Sequence, residues 1–136
     1  MYTYSAELLK VIDGDTIEVD FDLGFGVWLR NQRIRLAGID TPESRTTIKE
    51  EKIRGELSKA KLKEILAGKR LTITTVLDPN EKYGRILGFV TNELGVNVNN
   101  WLINNNYAVT YVGQNKELVQ EAHLKNAAIL KARGEI

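Results

Sequence analysis

Three short stretches of this chain place residues that can do phosphoryl chemistry at close spacing. "VIDGDT" carries Asp13 and Asp15 around Gly14, "IRLAGIDTPE" carries Arg35, Asp40, Thr41 and Glu43, and "KYGR" carries Lys82, Tyr83 and Arg85. Hydrolysis of a phosphodiester by water needs what these residue types offer. The phosphorus is shielded by anionic oxygens, and a hard cation neutralises them and acidifies water. Such a cation takes oxygen ligands, roughly six to eight for Ca²⁺. Asp15, Asp40 and the Thr41 carbonyl can supply a few, leaving the rest to water and phosphate. Charge gathering on the equatorial oxygens of the transition state is met by forked guanidinium donors, for which Lys is no substitute. Arg35 and Arg85 fit that part. A carboxylate must orient or deprotonate the attacking water, and Glu43, set off from Asp40 by Thr41 and Pro42, is the candidate. Each residue alone reads as an ordinary turn or strand position, and the conjunction is what carries weight.

Other chemistries are excluded by composition. The chain has no Cys, so disulfides, thiolate metal sites and Cys nucleophiles are out. His123 is the only histidine, which rules out two-His zinc motifs and reads as a surface or packing residue of a helix. Gly68-Lys69 lacks the earlier glycine of a nucleotide P-loop. The "DGDTIEVDFDLG" segment has Gly24 where a calcium-binding helix-loop-helix needs its bidentate Glu.

The elements that must position these residues can be read from period and punctuation. The 136 residues, 43% of them hydrophobic, suit one domain spanning 1–136. "TYSAELLKVI", "DTIEVDFDL" and "VWLRNQRIRLAGI" are expected strands, the first two joined through Gly14. In the third, Ile34 and Leu36 share one face and Arg33 and Arg35 the other. A helix is expected from about Thr47 to Ala67, burying Ile53, Leu57, Ala60 (or Lys61) and Ile65, with Gly68 as its stop. "KRLTITTVL" and "RILGFVT" are strands flanking the turn-rich "DPNEKYGR". "VNVNNWLINNNY" is a short helix burying Val98, Trp101 and Leu102, and "AVTYV" is extended. A last amphipathic helix, "NKELVQEAHLKNAAILKARG", would bury Leu118, Ala122 and Ile129. Five strands with a helix between the third and fourth is the order of an OB-type barrel. The expected fold class is therefore mixed α+β, mainly β: an OB-fold five-stranded barrel with three helices.

Charge is distributed unevenly. Residues 1–29 hold one Lys against six acids, 30–70 hold twelve Lys and Arg against six acids, and 71–136 hold six of each. A basic middle third beside an acidic first hairpin suits a polyanion together with a cation; the plainer reading is solvated faces of helices and strands. No window approaches the ~18 apolar residues of a membrane span. The first residues lack the marks of a secretory leader, which implies a cytoplasmic chain if it is complete and a secreted or periplasmic one if it is a mature form.

Taken together, "VIDGDT", "IRLAGIDTPE" and "KYGR" resemble the staphylococcal nuclease (thermonuclease) family in order and in the five-residue step from Arg35 to Asp40. The likeness runs from about Tyr4 to Lys131 and includes "EAHLK". It implies a Ca²⁺-dependent endonuclease that hydrolyses DNA and RNA and leaves 3′-phosphate ends. By motif, Asp15, Asp40 and the Thr41 carbonyl look like the Ca²⁺ ligands, Arg35 and Arg85 like the phosphate-binding arginines, and Glu43 like the general base or water-orienting group. Lys82, Tyr83 and Tyr111 look like phosphate or base contacts. DNA and RNA are the expected partners, with no membrane, and a monomer suffices. The chain departs from the family pattern in a longer "DLGFGVW" loop, expected beside the site, in fewer basic residues just after Glu43, and in Gly113, where the staphylococcal enzyme has a second Tyr. A catalytically silent nuclease-like binding module is the main alternative. A generic OB module that stacks single strands on aromatics is another, disfavoured if Trp28, Trp101 and Phe89 are core.

Overall fold

A computed structural model describes residues 2–76 and 85–136. Its elements run β1 (Thr3–Asp13), β2 (Thr16–Asp22), β3 (Trp28–Leu36), β4 (Ile39–Asp40), α1 (Lys49–Ile65), β5 (Arg70–Val76), β6 (Ile86–Thr91), α2 (Val98–Asn104), β7 (Val109–Thr110) and α3 (Lys116–Ala132). Five strands close into a barrel in the order β1-β2-β3-β6-β5, with β5 returning to β1. All pairings are antiparallel except β3 with β6, which run parallel from Ile34 opposite Ile86. The barrel with three helices is the expected class. Among the described residues, no helix is long and apolar enough to cross a membrane.

Strand alternation fills the barrel as its sequence requires. Ala6, Ile17, Val19, Ile34, Leu36, Ile73 and Val90 are fully buried, and Leu62 of α1 with Val98 and Leu102 of α2 extend the same core. Each aliphatic side chain withdrawn from water contributes about 1.5–3 kcal/mol. The third strand is shorter than its apolar run suggested. It ends at Leu36; Gly38, with φ of 75°, turns the chain, and Ile39–Asp40 starts a separate two-stranded sheet with Val109–Thr110. Buried Asn99 stitches this corner: its amide donates to the carbonyls of Ala37 and Gly88 and accepts from the Val90 N–H.

Both long helices bury a different stripe from the apolar one. On α1 the buried residues are Arg54, Gly55, Ser58 and Leu62, while Ile53 and Ala60 are exposed and Leu57 and Ile65 only half-buried. The reason is close approach. A Cβ on Gly55 would lie 2.5 Å from the Glu43 carbonyl oxygen, and Ser58 donates its hydroxyl to the Tyr107 carbonyl. Small residues face the barrel because this helix touches backbone. On α3 the inward positions are His123 and Leu130, with Ala122 half-buried and Leu118 and Ile129 exposed. The aromatic core was also overestimated: Phe89 stands exposed on β6, and Trp28 and Trp101 are half-buried, Trp28 beneath the Arg30 guanidinium. The 22–28 loop is at the opposite end of β2 from Asp15, about 20 Å of strand away, not beside that residue; its tip, Phe25, is fully exposed.

Candidate active site

The β1–β2 hairpin turns on Gly14 and Asp15, between Asp13 and Thr16. Gly14 is required by contact: a Cβ there would lie 2.9 Å from the Ser58 Cβ and 3.0 Å from Thr41 Oγ1. The turn is thereby pressed between α1 and the segment after β4. The Asp15 carbonyl accepts from the Leu36 N–H at 2.8 Å, and its carboxylate accepts from the Thr16 hydroxyl at 3.1 Å. Asp15 is largely withdrawn from water. That burial pushes its pKa above the usual carboxylate value, Arg35 opposes the rise, and Asp40 adds to it.

Arg35 is next to last in β3, on the face opposite buried Ile34 and Leu36, as alternation predicts. Its Nη2 lies 3.6 Å from Asp15 Oδ2 and 3.5 Å from Asp40 Oδ1, and its guanidinium sits 5.8 Å from the centre of the Tyr111 ring. One guanidinium therefore holds two carboxylates, one from the β1–β2 turn and one from β4. Asp40 is brought there by β4, whose pairing with β7 also brings Tyr111, since the Tyr111 N–H donates to the Gly38 carbonyl.

After Asp40, Thr41 and Pro42 are buried and Glu43 emerges exposed. The backbone at Glu43 and Ser44 rests on Gly55 of α1, and the Ser44 hydroxyl donates to Asp13 at 2.9 Å. The Glu43 carboxylate accepts from the Arg45 N–H at 3.2 Å. Asp13, placed by sequence only at a turn, therefore fastens the loop that presents Glu43.

Arg35, Asp40, Thr41, Glu43, Arg85 and Tyr111 all line one open cleft of about 820 Å³. Asp15 does not line the cleft itself but pairs with Arg35, which does. Lys82 and Tyr83 lie outside the described residues. The sequence missed His123, which lines the cleft and whose Nε2 is 2.8 Å from Asp40 Oδ2. The available signal was helical spacing: His123 follows Val119 by four residues and precedes Leu130 by seven, on one inward stripe.

The donor chemistry fits a hard cation. Two carboxylates converge, one of them buried at a cost to its ionised form, and the oxygen-only set is what Ca²⁺ accepts. Among the described residues no group of three or more His, Cys, Asp and Glu side chains that could hold a metal forms.

A closed five-stranded barrel in which Arg35 bridges Asp15 and Asp40, in the wall of a cleft that Asp40, Glu43 and Arg85 line, defines an OB-type domain. Residues 33–135 match the family model described as staphylococcal nuclease homologue, and the chain belongs to the staphylococcal nuclease family, a family of phosphodiesterases. It is 36% identical over 127 residues to an uncharacterised endonuclease of Escherichia coli, covering 93% of this chain and 73% of that protein. It is 34% identical over 114 residues to endonuclease YhcR of Bacillus subtilis, covering 79% of this chain but 9% of that much longer protein. Thermonuclease of Staphylococcus intermedius is 35% identical over 81 residues, covering 60% of this chain and 45% of that enzyme.

Proposed function

We propose that this chain is a Ca²⁺-dependent nuclease that hydrolyses DNA and RNA and leaves 3′-phosphate ends. The observation that carries this reading is the Arg35 guanidinium between Asp15 and Asp40, at 3.6 and 3.5 Å, in the wall of a cleft shared with Glu43 and Arg85. Names such as endonuclease and thermonuclease among its relatives support it.

Asp15, Asp40 and the Thr41 carbonyl hold the cation, which when bound supplies positive charge to the phosphate oxygens and acidifies water. Arg35 and Arg85 present forked N–H donors to the equatorial oxygens, where charge grows in the transition state. Glu43, exposed at the cleft rim, orients the attacking water and accepts its proton. The water oxygen joins phosphorus as the P–O5′ bond breaks. The 5′ oxygen takes a proton from solvent, Glu43 returns the water's proton to solvent, and the phosphate stays on the 3′ side. Lys82, Tyr83 and Tyr111 contact neighbouring phosphates or bases, and a monomer carries the whole site.

Purified protein incubated with linear DNA tests the reading. Degradation in CaCl₂ that stops on chelation and is lost in Arg85→Ala is expected. Salt-sensitive binding of intact DNA in CaCl₂ would instead make the chain a silent binding module.

A further inference from the structure

His123 is the chain's only histidine and is 5% exposed, on the inward stripe of α3. It is fixed at two points. Its carbonyl accepts from Nη1 of buried Arg54 on α1 at 3.3 Å, and its ring Nε2 meets Asp40 Oδ2 at 2.8 Å. Ring Nδ1 is buried with no hydrogen-bond partner among the described residues. A proton on Nδ1 would leave a buried donor unsatisfied, whereas a proton on Nε2 has a carboxylate waiting for it. The arrangement therefore favours the tautomer in which Nε2–H donates to Asp40.

The consequence falls on Asp40. Its two oxygens are committed to different neighbours, Oδ2 to His123 and Oδ1 to the side of Arg35 and Asp15. A carboxylate on an open strand end, with its side chain 30% exposed, would otherwise rotate about its Cβ–Cγ bond. Held from both sides, it keeps one chosen oxygen toward the point where Asp15 also converges. Arg54 holds α3 from the same turn of α1 in which Gly55 supports the Glu43 backbone, so one helical turn backs both acids.

We propose that His123 is a positioning residue: through Nε2–H it fixes the Asp40 carboxylate so that Oδ1 alone faces the cation. This rests on the reading of Asp40 as a cation ligand. A hydrogen bond from outside the coordination sphere that orients a ligating carboxylate typically contributes ten- to hundredfold in metal affinity.

The test is calorimetric titration of the metal-free protein with CaCl₂. His123→Phe keeps a ring in the buried site but removes the donor, and its calcium affinity is expected to fall tenfold or more. His123→Gln places an amide N–H near the position of Nε2 and is expected to recover affinity to within a few-fold of wild type. Equal affinity in wild type and His123→Phe, or equal weakening in both variants, assigns His123 to packing and overturns the proposal. A wild type that binds no calcium overturns the cation reading of Asp40 itself, and this inference with it. Should the Phe variant not fold, ¹⁵N NMR of the single wild-type histidine decides. A proton resident on Nε2, with ring resonances that move when CaCl₂ is added, is expected. A proton resident on Nδ1, or resonances indifferent to CaCl₂, overturns it.

Discussion

Gly55→Ala is the sharpest way to ask whether α1 sets the position of Glu43. The added methyl would lie 2.5 Å from the Glu43 carbonyl oxygen and 2.6 Å from the Ser44 nitrogen, against 3.4 Å or more in ordinary contacts. These are backbone atoms, so no side-chain rotation relieves the clash, and the helix or the loop must retreat by about 0.9 Å. Overpacking costs about 1–3 kcal/mol, while Ala in place of Gly inside a helix returns about 1 kcal/mol. The net loss is about 0–2 kcal/mol, a fall of roughly 0–8 °C in melting temperature for a chain of this size. The rate should suffer more, since a displacement near 1 Å of a catalytic group costs on the order of 100-fold. Ala60→Gly is the control. Ala60 is exposed on the same helix, so it should lose about 1 kcal/mol of stability and keep its rate. Turnover on linear DNA and thermal unfolding are measured for both variants. Gly55→Ala at full turnover, or Ala60→Gly slowed as much as Gly55→Ala, would refute the idea that this contact places Glu43.

Arg35→Lys keeps a positive charge but loses the fork, and turnover should fall by about 10²–10³-fold; a loss under about tenfold, by the same yardstick, would show that charge alone suffices. Asp15→Asn removes a buried carboxylate whose ionised form is disfavoured, so the metal-free protein should melt at a higher temperature while calcium binding and cleavage are lost; a lower melting temperature would contradict the burial argument. Asp20 sits far from the cleft and accepts from the Asn31 N–H at 2.8 Å and from Arg30 at 3.0 Å. The Asn31 bond, with help from Arg30, holds its pKa below 3.8. Because the folded value is depressed, its contribution is present above 3.8 and lost as pH falls through the folded value. Asp20→Ala should therefore unfold earlier than wild type at pH 7, with a gap that narrows in strong acid, and should cleave normally; a gap independent of pH would show that the carboxylate charge is not involved.

The barrel was legible because strand alternation and turn chemistry act locally: Ile34 and Leu36 inward with Arg35 outward needs no knowledge of the rest of the chain. The converging acids and arginine were legible as motifs. The helix faces were not, because hydrophobic period finds apolar stripes and α1 buries Gly55 and Ser58 against backbone instead. The partition at Gly38, which makes Ile39–Asp40 a strand of a second small sheet, depends on β7, some 70 residues later in sequence. His123 was passed over for a related reason: one histidine on a helix acquires meaning only when the fold sets it against Asp40, 83 residues away. Asp13 likewise gains its task from Ser44 and Arg45, in a loop distant in sequence.

The proposed nuclease stands on one step: acids and arginines of this cleft direct water to the phosphorus and expel the 5′ oxygen. The measurement is single-turnover cleavage of a 5′-labelled DNA oligonucleotide in CaCl₂, comparing wild type with Glu43→Gln and treating the products with phosphatase before enzymatic 3′ extension. Fragments that extend only after phosphatase are expected, formed far more slowly by Glu43→Gln. Fragments that extend at once, or equal rates in the two proteins, would contradict it.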